Sequence, residues 1–224
     1  MCSSDLVGAA VYPVFSRLTP TSDPPVGPVY QRGLKLAVAL TLPLAAGCFV
    51  LAGPLIGLLF GSSYEDAETA LRLLAPAIAL YPICYVTGYL LISQNRQRVL
   101  TWVYGLAAVE NVLANFVLIP WLSLDGAALS TSISQLLAAI AFVVFAQRTA
   151  GRIRWVRIAA GPVLATALAA ATMAALSDDF AVAVAAGTAV YLVTLVLFER
   201  LFYPDDTQAV FELLPSRASA PRDV

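Results

Sequence analysis

Long apolar runs broken by short polar connections pattern this chain from end to end. Six runs, 34–60, 70–93, 99–121, 126–146, 158–176 and 181–202, are each about as long as the roughly 20 residues with which an α-helix crosses the hydrocarbon core of a bilayer. An earlier apolar run, 7–18, is too short and reads as the last turns of a helix. The connections 61–69, 94–98, 122–125, 147–157 and 177–180 hold the polar residues. The pattern predicts an all-α integral membrane protein with six full transmembrane helices plus one partial N-terminal helix. Its membrane domain is 7–202. The polar, Pro-containing segment 203–224 reads as a disordered tail. Met1 to Leu6 is polar and resembles the translation of a sequencing adapter, so 1–6 reads as a non-native artefact on a gene truncated upstream.

Charge adds an orientation. Arg17, Arg32 and Lys35 flank the connection between the runs 7–18 and 34–60, Arg96 and Arg98 lie in 94–98, and Arg148, Arg152, Arg154 and Arg157 in 147–157. Arg200, Arg217 and Arg222 lie at or beyond the last helix. One face thus collects twelve of the thirteen basic residues, with Arg72 the exception. Cytoplasmic connections are enriched in Lys and Arg, so this face and the C-terminus are expected to be cytoplasmic, in a multi-pass cell-membrane protein. The other connections carry Glu65, Asp66, Glu68, Asp125, Asp178 and Asp179.

Composition closes off several function classes. With 60% hydrophobic and 12% charged residues, lipid must serve as part of the solvent. A net charge of −1 argues against nucleic acid as a partner. There are three Cys and no His, and no pair with metal-ligand spacing, so neither a zinc site nor a histidine base is expected. No Gly-rich loop followed by Lys points to ATP hydrolysis. No cofactor and no catalytic residue is expected. A membrane glycan transferase or polymerase would need a catalytic external loop, and 61–69 is too short for one.

Polar residues inside the apolar runs ask for a reason. Glu110 sits at the midpoint of 99–121, where an acidic side chain costs roughly 2.5–3.5 kcal/mol on the insertion scale. Such residues face bundle interiors or wet cavities, so Glu110 reads either as a proton or cation site or as a buried helix contact. Asn111 and Asn115 share one helix face, with Glu110 turned about 100° from Asn111. Interhelical hydrogen bonding is the favoured role of the two Asn over sugar contact. Gly126, Ser130, Ser134 and Ala138 recur every fourth residue as a seam for close helix packing, and Gln135 is placed to meet the Asn face. Pro43, Pro54, Pro76 and Pro82 are candidate hinges. The Arg148–Arg157 cluster serves first to orient the chain, with an anionic lipid headgroup or a pyrophosphate as an alternative partner.

Several short motifs then fall into a known order. They are A-V-Y-P-V-F-S-R-L at 10–18, L-P-L at 42–44, L-A-G-P-L-I at 51–56, L-F-G at 59–61, Tyr64 with Ala67, and L-R-L-L-A at 71–75. Asn111 with Asn115, Ile119-Pro120 and Gly126-Ala127-Ala128 complete the run. Together, over 7–147, they resemble the O-antigen and capsule repeat-unit flippases of the multidrug/oligosaccharidyl-lipid/polysaccharide exporter superfamily. The resemblance implies two six-helix lobes around a central cavity, often with two further C-terminal helices, and alternating access. It makes 7–18 the eighth helix of fourteen and the six full spans the ninth to fourteenth, so the N-terminal lobe is missing from this chain. It implies a polyprenyl-linked oligosaccharide as substrate, polysaccharide-assembly proteins as possible partners, and Arg17 as the one cavity cation carried over by position. Two rivals remain: a drug/cation antiporter of the same superfamily, which Glu110 keeps alive, and a non-transporting membrane scaffold.

Overall fold

The computed structural model describes residues 26–203, and the regular structure among them is helical throughout. The expected helix at 7–18 with Arg17, the segment 1–6 and residues 204–224 lie outside the described residues. The elements are α1 (Val26–Val50), α2 (Ala52–Phe60), α3 (Ala67–Ser93), α4 (Gln97–Leu122), α5 (Leu124–Ala150), α6 (Trp155–Ala175) and α7 (Phe180–Phe202). All but the short α2 are long and apolar enough to cross a membrane.

The helices overrun several of the apolar runs. α1 begins at Val26 rather than at 34, and α5 continues to Ala150 rather than stopping at 146. Apolar runs mark where hydrocarbon lies, whereas backbone hydrogen bonding carries a helix onward through the headgroup layer. Gly151, with φ of +80°, ends α5 in a conformation that suits glycine. The expected single span 34–60 is divided at Leu51 into α1 and α2. Pro54 accounts for the place of the break, because it has no N–H to offer and its ring crowds the carbonyl four residues back, at Val50.

The packing order runs α4, α5, α3, α1, α6, α7, each helix resting mainly on its neighbours in that sequence. Tyr30, Leu34 and Val38 of α1 meet Val86 and Leu90 of α3, Ala146 of α5 and Ile158 of α6 in one core. Cys84 and Leu91 meet Val103, Ala138, Ala139 and Phe142 in another. Tyr30 and Thr87 are fully buried, and their hydroxyls hydrogen-bond at 2.8 Å. Gly126 permits the closest approach: a Cβ there would lie 2.4 Å from the Leu118 carbonyl oxygen. Outside these contacts α4 is bare, with Trp102, Phe116 and Trp121 all exposed. A helix so apolar on its open face suits contact with lipid or with further membrane helices.

Among the described residues, the basic side chains other than Arg72 lie toward one end of the bundle. Arg96 donates to Thr149 at 3.2 Å, the Arg154 backbone N–H donates to Gln31 at 3.2 Å, and Lys35 pairs with Glu199 at 2.5 Å. At the opposite end the exceptional Arg72 pairs with Glu68 at 2.5 Å and reaches the Phe49 carbonyl at 3.3 Å. There Asp179 caps α7 by accepting the Ala181 and Val182 N–H groups at 3.0 and 3.1 Å.

Candidate functional site

The small-residue seam of α5 is buried from Gly126 through Ser130 and Ser134 to Ala138. It brings two hydroxyls against the polar residues of α4. Ser134 Oγ lies at the junction. It donates to Glu110 Oε2 at 2.6 Å or to the Ser130 carbonyl at 2.8 Å, and accepts from Asn111 Nδ2 at 3.1 Å. With one hydrogen, the hydroxyl serves one acceptor at a time. Asn115 Nδ2 donates to Asn111 Oδ1 at 3.0 Å, and Ser130 Oγ donates to Asn115 Oδ1 at 2.5 Å or to the Ala127 carbonyl at 2.9 Å. The result is a continuous chain of five side chains between two membrane helices.

Glu110 and Asn111 therefore converge, although neighbours on a helix point about 100° apart. Ser134 sits between their directions on the facing helix, and the longer Glu side chain makes up the difference. The expected meeting of Gln135 with the Asn face is corrected: Gln135 Nε2 donates to Cys84 Sγ on α3 at 3.3 Å. One step along α5 from Ser134 turns its side chain toward the other neighbour. Asn115 also lines a shallow cleft of about 420 Å³, otherwise formed by Val112, Phe116, Ile119 and Pro120.

This arrangement can join helices, and its oxygens are also of the type that hard cations take. Among the described residues no group of three His, Cys, Asp or Glu is placed to hold a metal ion. In the structure as it stands, the hydrogen bonds link the five side chains to one another.

The four prolines fall in different settings. Pro54 stands in the first turn of α2, beside the break at Leu51. α1 continues through Pro43, and α3 through Pro76 and Pro82. Pro43 leaves the Ala39 carbonyl without its in-helix donor, and the Tyr191 hydroxyl of α7 donates to that oxygen instead. Ser132 of α5 donates at 2.5 Å to the Leu73 carbonyl, next to the Arg72 carbonyl that Pro76 leaves free.

Two contacts escaped sequence reasoning. Lys35 and Glu199 form an ion pair with side chains only 14% and 12% exposed. Each stands near the end of an apolar run on the same face, and that shared depth is the signal that could have paired them. Tyr191 has no such signal, since an aromatic in an apolar helix reads as packing.

Comparison with known proteins follows the same lines. The family model described as "Lipid II flippase MurJ" matches residues 6–202. A solved structure titled "Lipid II flippase MurJ, inward closed conformation" matches with a TM-score of 0.71 at 15% identity, over 88% of this chain and 46% of that one. The chain thus has that fold and spans about half the length of that protein. Among curated proteins, none matches the sequence.

Proposed function

Since this chain belongs to the lipid II flippase MurJ family, we propose that it forms the C-terminal half of a flippase for a lipid-linked oligosaccharide. The observation that supports this most is the fold. Six membrane-spanning helices match a solved flippase over 88% of this chain, while filling 46% of that protein. In this reading an N-terminal lobe completes the cavity, and the protein is a transporter rather than an enzyme. The substrate is a polyprenyl-linked oligosaccharide. Lipid II is favoured by the family description, and a polysaccharide repeat unit by the motifs at 10–18, 51–56 and 111–128.

The physical task is a polar headgroup crossing hydrocarbon. Without compensating partners, each buried hydroxyl or amide costs roughly 2–7 kcal/mol, so unaided crossing of a sugar chain is negligible. A cavity between two lobes replaces hydration, and rocking of one lobe on the other moves its opening across the bilayer. The Arg-bearing face and the C-terminus are cytoplasmic in this reading, and Arg17, carried over by position in the sequence, is the residue it assigns to the anionic headgroup. Glu110, hydrogen-bonded to Ser134 in mid-membrane, carries the coupling proton or cation. The same residue favours the second reading, a drug/cation antiporter of the superfamily.

Depleting the protein in its host separates the two. A flippase predicts that lipid-linked oligosaccharide accumulates on the cytoplasmic leaflet, protected from an externally added diphosphatase. An antiporter predicts an unchanged pool and a raised sensitivity to cationic drugs.

A further inference from the structure

Tyr81, Tyr85 and Tyr89 follow one another every fourth residue along α3. Residues so spaced share a helix face, about 6 Å apart along its axis. Their rings form a ladder. Tyr81 and Tyr85 stack with centres 5.5 Å apart and planes 24° from parallel, and Tyr89 meets Tyr85 edge-on at 4.9 Å. The Tyr89 hydroxyl donates to that of Tyr85 at 3.3 Å. Tyr81, the open rung, is 49% exposed. On α4, Tyr104 is 46% exposed. Its ring sets edge-on against Phe142 of α5 at 5.2 Å, with Tyr81 among its electrostatic neighbours.

Depth makes the ladder unusual. Tyrosine is at home in the headgroup layers, yet Tyr81 stands at the middle of the apolar run 70–93. Among the described residues, neither the Tyr81 nor the Tyr104 hydroxyl has a hydrogen-bond partner. A hydroxyl without a partner is costly in hydrocarbon, and Phe would stack as well without that cost. The open side of α4 shows the contrast: Leu106, Val109, Leu113, Phe116 and Val117 are exposed there, with no hydroxyl among them. The tyrosine face thus suits a polar ligand rather than lipid, and transporter sites lie near the bilayer midplane.

The rings also point to the class of ligand. From Leu73 to Ser93, α3 carries no charged side chain, so this face suits a neutral ligand. A compact cation is best held by rings gathered around one point, whereas these stand in line along the helix axis. A row of ring faces matches an elongated molecule whose units each present an apolar side edged by hydroxyls. Pyranose sugars have that form: their C–H faces lie on aromatic rings while their hydroxyls meet phenol oxygens. We propose that Tyr81, braced by Tyr85 and Tyr89, is a stacking platform for the sugar units of the lipid-linked oligosaccharide, with the Tyr104 hydroxyl as a hydrogen-bonding partner. The proposal takes its ligand from the flippase reading and rests on it to that extent.

Native mass spectrometry of the purified 224-residue chain, in a detergent without sugar, tests it. Retention of undecaprenyl diphosphate bearing N,N′-diacetylchitobiose is compared with retention of undecaprenyl diphosphate alone, so that the ratio reads the sugar contact. The unmutated chain is expected to favour the sugar-bearing lipid. Tyr81→Leu is expected to lower this preference by about fivefold, the scale of one aromatic stacking contact. Tyr81→Phe, which keeps the ring, is expected to lower it by less than about threefold. Trp102→Leu, which removes an exposed ring from α4, is expected to leave it unchanged. If Tyr81→Leu does not fold, a diazirine on the sugar of the same lipid tests the unmutated chain: labelling of α3 around Tyr81 supports the platform, and labelling confined to other helices overturns it. A preference that Tyr81→Leu leaves intact overturns the proposal and spares the flippase reading. Absence of any sugar preference in the unmutated chain overturns it as well, and tetraphenylphosphonium retention that needs the Tyr81 ring would then assign the face to cations. The depletion experiment involves no α3 variant and decides the flippase reading separately.

Discussion

The hydroxyl of Tyr191 on α7 donates to the backbone carbonyl that Pro43 strands on α1. A proline inside a membrane helix leaves an acceptor that lipid cannot satisfy, and here a side chain two helices further along the packing order supplies the donor. Tyr191→Phe should therefore cost about 1–2 kcal/mol of stability. In a Pro43→Ala background the helix regains its own donor, and the same change should cost clearly less. Denaturant unfolding of the purified chain in detergent measures both, and equal costs in the two backgrounds would remove the link.

The α4–α5 contact gives a second expectation. Gly126→Ala sets a methyl group against the Leu118 carbonyl and carbon and the Ile119 nitrogen, all backbone atoms. The helices must separate, at about 1–3 kcal/mol. Gly105→Ala on the facing helix α4 meets nothing within 4 Å, and should be neutral or stabilising by up to about 1 kcal/mol. Thermal melts of the two variants check the contrast.

The polar seam separates adhesion from transport. Ser134→Ala removes the hydroxyl shared by Glu110 and Asn111, and should cost about 1–3 kcal/mol. Glu110→Gln keeps an acceptor for Ser134 while removing the charge, so its stability cost should stay below about 1 kcal/mol. If Glu110 carries a coupling ion, the same variant should lose transport or its pH dependence. Unchanged transport and unchanged pH dependence would leave Glu110 as a helix contact only.

Lys35 and Glu199 should behave as a unit. Lys35→Met leaves a mostly buried carboxylate without its partner, at a cost of about 3–5 kcal/mol. Lys35→Met combined with Glu199→Gln should recover most of that loss. A double-mutant cycle read by unfolding measures the coupling, and purely additive costs would contradict it.

The spans and the Arg-bearing face were legible because both follow from transfer energies that act on each residue separately. The Gly126-to-Ala138 seam was legible from its four-residue spacing, and the structure turns that face onto α4. The Leu51 break was half legible, since Pro54 announced an interruption without placing it. What stayed hidden depends on the angle at which helices meet. Ser134 bridges Glu110 and Asn111, Gln135 turns to Cys84, and Glu199 finds Lys35 across the bundle. Each pairing requires knowing which helices are neighbours, and single-helix periodicity does not carry that information.

The most direct measurement of the central reading is flipping in vesicles. The chain, together with the N-terminal lobe that the proposed reading calls for, would be reconstituted with a fluorescent polyprenyl-diphosphate oligosaccharide whose outer-leaflet fraction is quenched from outside. The account predicts that the protected fraction becomes quenchable faster than in protein-free vesicles, and that Ser134→Ala slows this. A protected fraction that stays as constant with the protein as without it would contradict the account.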